Sequence, residues 1–290
     1  FMIVSQLLTY TVYGQENSCT KTIKESLQYT AEILDSPESK ELWGISLNAP
    51  IVIIDHLNNR MIFTAIQDGV IQDFKEEQWD NKIPLANSFF QYKGIKYVTI
   101  LYSALLDTSC DQRVNLISHE IFHFHQNSLG IESVTSVNYH MDAVKGRSLL
   151  RIEMKALQQV VSGDSNSLAD ALYIRAYRQS LYPDNNEDSY ELNEGLAEYT
   201  GLKLSMNNSK DYVKQQLKYN ISNGYTNAFG YFTGSAYAVI LDQIYPEWKK
   251  DKDLKKGMIY LIKKEKPQYA LADDQVYLTT LLAKYNYEQI

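Results

Sequence analysis

The chain is expected to fold as an α+β protein, with a small N-terminal mixed sheet followed by a mostly helical part. β-branched runs are confined to the stretch from Pro50 to Ser103, and after Asp107 the pattern turns helical and stays so. Strands first and helices after them mark this class rather than alternating strand–helix units.

The strand readings are Ile51-Val52-Ile53-Ile54, Met61-Ile62-Phe63-Thr64 and Lys96-Tyr97-Val98-Thr99-Ile100-Leu101-Tyr102. Gly69, Pro84 and Gly94 fall in the connections. The strand near 95–103 is expected at a sheet edge, where an extended substrate can add by backbone pairing. Helical periodicity follows near 111–128, 147–162, 166–181, 193–206, 209–220, 233–245 and 251–265. Turns such as Gly163-Asp164-Ser165 and Pro183-Asp184-Asn185-Asn186 separate these segments, and no internal repeat is visible.

Composition narrows the function. A net charge of −7 opposes nucleic-acid binding, which needs a concentrated basic face. The local basic stretch Lys249–Lys266 is interrupted by Asp251, Asp253 and Glu265 and reads as a solvated helical face. The 23 tyrosines are mostly packing and surface residues. Cys19 and Cys110 are too few for a disulfide framework, though an oxidising compartment permits one bridge. Residues Met2 to Val12 are mostly apolar, and Val12-Tyr13-Gly14 before Gln15-Glu16 has the form of a signal-peptidase site. Residues 1–14 are therefore expected to be a signal-peptide remnant and the protein exported, periplasmic or secreted. Elsewhere no apolar run approaches the roughly 20 residues that span a bilayer.

The sharpest feature is His119-Glu120-Ile121-Phe122-His123. Four residues apart on a helix, both imidazoles can reach one ion, with Glu120 beside it. Zinc suits two histidines and a carboxylate, which leave one position open for water. Glu120 is then placed to take a proton from that water as general base. Val114, Ile117, Ile121 and Phe124 form an apolar stripe on another face, and Gly130 is placed to end the segment.

A third ligand is needed. The positions that would carry a metzincin's glycine and third histidine are Gln126 and Leu129, which excludes that class. His125 is rotated about 200° from His123 and reads as a packing or surface residue. His56 reads as structural, and His140 stays open as a ligand. The better candidate is Asn193-Glu194-Gly195-Leu196-Ala197-Glu198-Tyr199. Glu194 and Glu198 share a helical face with Gly201, where the backbone can approach the His119/His123 helix. Metal binding by one glutamate and hydrogen bonding to a ligand histidine by the other relieves their repulsion.

Together the two segments resemble the gluzincin metallopeptidases, which combine HExxH with a downstream glutamate. The segment 193–199 is similar to the NEGFAxY element of the M1 aminopeptidases, and its Asn-Glu with an acid four residues on resembles thermolysin. The resemblance implies a zincin-like fold, with His119, His123 and Glu194 holding one Zn2+ and Glu120 as base. It also implies that Glu198 orients a ligand histidine. Phe229-Gly230-Tyr231-Phe232-Thr233-Gly234, before a helix from Ala236 to Ile244, resembles the Tyr-x-x-Gly element whose phenol stabilises an oxyanion. That makes Tyr231 the candidate, with Tyr199 and Tyr225 in reserve.

The resemblance covers about a third of the chain, around 115–125 and 190–245. About seventy residues separate His123 from Glu194 here, where the family has about twenty. The implied organisation is a catalytic lobe over 15–206 with a helical insertion at about 131–190, then a C-terminal helical lobe over 207–290. Glu153, within that insertion, reads as a solvated helix residue. No segment resembles the GAMEN element that grips a free amino terminus. The expected activity is zinc-dependent hydrolysis of a peptide or protein substrate. The alternatives are a catalytically silent binding module of the same fold and a zinc hydrolase of a non-peptide amide or ester.

Overall fold

The computed structural model describes residues 22–206, 208–219, 224–269 and 275–287. The expected leader at 1–14 and Cys19 lie outside the described residues. The fold is α+β: a six-stranded mixed sheet on the N-terminal side, then a mostly helical remainder. The chain divides into two compact units. The described residues through Leu129, with those from Thr200 to Met206, form the first, and the others form the second.

In the first unit, two helices that the periodicity reading omitted precede the sheet. Ile23–Asp35 (α1) starts with a capping box between Thr22 and Glu25. Pro37–Trp43 (α2) has Ser36 as its cap and Pro37 in its first turn, where a missing N–H costs nothing. The strands are Ala49–Asp55 (β1), Arg60–Gln67 (β2), Val70–Ile71 (β3), Lys75–Gln78 (β4), Ser88–Tyr92 (β5) and Ile95–Leu101 (β6). The sheet order is β3-β2-β1-β6-β5, with β4 also on β2. β1 and β6 pair in parallel, Ile51 opposite Val98, while β1–β2 and β5–β6 are antiparallel.

The expected edge position of 95–103 is corrected by this order. β6 is interior, and β5 is the strand outside it. Ser88–Tyr92 escaped notice because Lys93 and Gly94 close a tight hairpin, both at positive φ, directly onto β6.

Alternation sorts the strand side chains onto two faces. Ile51, Ile53, Val98 and Ile100 pack with Leu27, Ala31 and Leu34 of α1 and with Leu116, Ile117 and Ile121. Val52, Ile54, Met61 and Phe63 face the other way, toward Ile83 and the half-buried Trp79, Phe90 and Tyr97. A short helix, Tyr102–Leu105 (α3), leads from β6 to Cys110–His125 (α4). Ser109 and Gln112 close a capping box at the start of α4. Val114, Ile117 and Ile121 of its expected stripe are fully buried, and Gly130, at φ +75°, follows the last turn.

The second unit contains Val144–Val161 (α5), Ser167–Leu181 (α6), Glu187–Tyr190 (α7), a π turn over Glu191–Gly195 and the first turn of Leu196–Ser205 (α8), whose residues from Thr200 onward belong to the first unit. Ser209–Gln216 (α9), Tyr225–Ile244 (α10), Met258–Glu265 (α11) and Gln275–Lys284 (α12) complete it. The expected helices near 147–162 and 166–181 are α5 and α6, and α5 packs on both α6 and α10. The helix foreseen from 233 begins at Tyr225, so Phe229–Gly234 lies inside it rather than before it. No helix among the described residues is long and apolar enough to cross a membrane.

Candidate metal centre

α4 carries the histidine pair. His119 and Glu120 are buried, and the backbone around them is anchored at several points. The Arg113 guanidinium donates to the Leu105 carbonyl (2.8 Å) and to Ser26 Oγ (3.1 Å). At the other end, Lys96 Nζ donates to the Phe124 carbonyl at 2.8 Å, a cation at a helix C-terminus. Burial pulls that ammonium's pKa down. His125 pairs through Nε2 with the Asn48 carbonyl at 2.8 Å, as expected of a packing residue.

The ring of His123 is oriented by a partner that sequence reading missed. His123 Nδ1 lies 2.6 Å from Gln126 Oε1. An amide oxygen only accepts, so Nδ1 carries the proton and Nε2 presents its lone pair. That Nε2 is 3.1 Å from His119 Nε2, with the two rings inclined at 73°. Two zinc bonds of about 2.05 Å at a tetrahedral angle set their nitrogens roughly 3.3 Å apart. The pair therefore fits a single ion. Gln126, three residues after His123, was the available signal.

Asn115, one turn before His119, shows how closely α4 is approached. A Cβ on Gly201 of α8 would meet Asn115 Oδ1 at 2.3 Å and its carbonyl oxygen at 2.8 Å. The adjacent Thr200 accepts a hydrogen bond from Trp43 Nε1 at 3.0 Å. The close backbone approach expected at Gly201 is present.

Glu194 sits in the π turn, a widened form that recurs at functional sites. Asn193 Nδ2 donates to Glu194 Oε1 at 2.9 Å and to the Val134 carbonyl at 3.3 Å. The Tyr190 hydroxyl donates to the Asn227 carbonyl at 2.8 Å, and burial with the Glu194 charge drives that phenol's pKa far up. Gly195 meets α10 backbone to backbone, since a Cβ there would lie 2.5 Å from Gly234 Cα. Glu198 is buried and accepts from Gln216 Nε2 at 2.7 Å.

Behind the π turn lies an ionic cluster with no counterpart in the sequence reading. Glu153, Glu187 and Glu191 face Arg175 and Arg178, and all five are at most 1 % exposed. Arg175 grips Glu191 through two bonds of 2.8 Å, and Arg178 grips Glu187 through bonds of 3.0 and 2.7 Å. Tyr237 donates to Glu153 at 2.5 Å, and Thr233 to Glu191 at 2.5 Å. Burial, with Glu153 and Asp188 nearby, outweighs Arg175 and pushes the Glu191 carboxyl up to about 7. Burial works the same way on Glu187, but Arg178 and the His140 bond prevail and hold its carboxyl far below the usual range. The reading of Glu153 as solvated is thus corrected: it is fully buried between two guanidiniums. A visible signal was the pairing of Arg175 and Arg178, three apart, with Glu187 and Glu191, four apart.

Other candidates resolve on contacts. His140 bonds Glu187 Oε1 at 2.9 Å and stacks on Tyr182, so its Nε2 is committed to the cluster. Tyr199 is fully buried with its hydroxyl on both Asp242 oxygens at 2.8 Å. Tyr225 is fully buried and donates to the Tyr219 carbonyl at 3.1 Å. Both reserve phenols are closed off from solvent. Tyr231, on α10 beside Gly230, is half-buried.

Among the described residues, His119, His123 and Glu194 form a group that can hold a metal ion, their ligand atoms lying within 4.8 Å of one another. No protein-family model, curated protein or solved structure matches the chain.

Proposed function

We propose that the protein is a zinc-dependent peptidase of gluzincin type, with His119, His123 and Glu194 as ligands to one ion and Glu120 as general base. The observation that carries this reading is the donor set: two imidazole nitrogens 3.1 Å apart, with a carboxylate in the same group. Two neutral imidazoles and one carboxylate match zinc's preference for nitrogen and oxygen donors with a position left open.

When bound, zinc supplies Lewis acidity, polarising a carbonyl and making a water acidic near pH 7. The chain's own residues do the rest. Gln126 fixes the His123 tautomer, which leaves the Nε2 lone pair available to hold an ion. Asn193 holds one oxygen of Glu194 and restricts the carboxylate's rotation. Glu120, next to His119 and shielded from bulk water, accepts a proton from the attacking water and returns it to the leaving amine. Glu198, fixed by Gln216, orients a ligand histidine. Tyr231, half-buried on α10, donates its phenolic hydrogen to the oxyanion.

The test is cleavage of a mixed quenched-peptide library by zinc-loaded wild type beside Glu120→Gln. Cleavage by wild type alone, with equal zinc in both proteins, supports the reading. Cleavage undiminished in the variant removes Glu120 as base. Silence from both with zinc bound removes peptide hydrolysis and directs the search to non-peptide amides and esters.

A further inference from the structure

The π turn that carries Glu194 is held from behind by charge rather than by apolar packing alone. Glu191, at its first position, receives two 2.8 Å bonds from Arg175 of α6 and a 2.5 Å bond from Thr233 of α10. Arg175 is itself fixed by Glu153 of α5 at 3.2 Å and by Asp188 at 2.6 Å. At the last position of the turn, Gly195 abuts Gly234, one residue along α10 from Thr233. The two ends of a five-residue turn are thus pinned to α6 and α10, with Glu194 between them.

The energetics say that this arrangement is not a stability device. Desolvating five ionic side chains offsets most of their mutual attraction, and apolar residues of the same shape stabilise a core at least as well. Directionality is what the ion pair adds. A bidentate guanidinium–carboxylate contact fixes distance and plane together, which Leu against Leu does not. Glu191 and Glu194, three apart, are separated by less than one turn, so a rotation of the Glu191 backbone displaces the Glu194 carboxylate directly.

We propose that Glu191, clamped by Arg175 and Thr233, is a positioning residue that sets the Glu194 carboxylate for the metal ion. The inference rests on the metal site proposed above and adds to it a residue of the second unit that touches no ligand. It also gives the α5–α6 segment a role, because Arg175 and Glu153 belong to it.

The experiment is a double-mutant cycle on zinc affinity, read by competition with a chromophoric chelator, on wild type, Glu191→Gln, Glu194→Ala and the double variant. Glu191→Gln removes the charge and keeps the shape, and is expected to weaken zinc binding about 10- to 100-fold. In the Glu194→Ala background the same change is expected to alter affinity by less than about twofold, because its effect passes through Glu194. A general loosening of the protein would instead weaken binding equally in both backgrounds, and that result overturns the inference. So does zinc binding that Glu194→Ala weakens and Glu191→Gln leaves unchanged. Binding that Glu194→Ala does not weaken overturns the metal site and this inference together. Thr233→Val, which deletes one hydrogen bond to Glu191 at nearly constant volume, carries the same cycle if Glu191→Gln fails to fold. Its expected loss is about tenfold, again only with Glu194 present.

Discussion

Replacing Gly195 by Ala tests how closely the π turn and α10 meet. A methyl at that position lies 2.5 Å from Gly234 Cα, 2.9 Å from Gly234 C and 2.8 Å from the Gly230 carbonyl oxygen. Carbon atoms rest at about 3.5–4.0 Å, so the two segments must part by roughly 1 Å. All three obstacles are backbone, and no side chain can turn aside to make room. Gly195 does not have positive φ, so alanine meets no conformational penalty there. Its better helix propensity returns at most about 1 kcal/mol. Overpacking of a closed core costs about 1–3 kcal/mol, toward the upper end when rigid backbone is displaced. The expected net effect is a loss of about 2 kcal/mol. Urea unfolding followed by far-ultraviolet circular dichroism reads it as a lower midpoint at unchanged slope. Gly234→Ala places its own Cβ 2.7 Å from Gly195 Cα, so it opposes the same contact. The double variant is expected to lose less than the sum of the two, since one displacement accommodates both methyls. An alanine variant as stable as wild type would refute the backbone-to-backbone crossing.

Two further outcomes follow from the same structure. Gln126→Leu removes the acceptor that holds the His123 Nδ1 proton, and zinc affinity is expected to fall about tenfold by chelator competition; unchanged affinity would show that the 2.6 Å contact does not orient the ring. Glu191 has a folded pKa of about 7 against an ordinary 4.5, so between those values the folded chain keeps a proton that the unfolded chain has released. The stability this contributes is complete below about pH 4.5 and is lost as the pH climbs through 7. Wild type is therefore expected to lose more stability than Glu191→Gln between pH 5 and pH 8, measured by denaturant midpoints in matched buffers, and equal losses would place the proton elsewhere.

Much of the site could be read from residue spacing because helices repeat every 3.6 residues. His119 and His123 lie four apart beside a stripe of Val114, Ile117 and Ile121, and such a stripe leaves one orientation for the pair. Glu194 was legible in the same way, four residues before Glu198 on one helical face. The Gly201 approach was legible for a related reason: a residue without Cβ on that face marks a close neighbour. Strands β1, β2 and β6 were found because each is a β-branched run. β4, with Lys75-Glu76-Glu77-Gln78, was not, because its charged side chains carry no apolar signal and its place depends on pairing with β2.

Local chemistry in the sequence thus determined the α+β class, the histidine helix and the identity of the group that can hold a metal ion. Tertiary structure alone decided which strand lies outermost, which histidine is committed to a carboxylate, which tyrosines are sealed and where Glu153 points. The physical reason is range. Helical and strand periodicity act over a few residues and are written in order along the chain. The partners of Glu153 are 22 and 84 residues away at Arg175 and Tyr237, and burial gives such a contact its weight only after the segments have met.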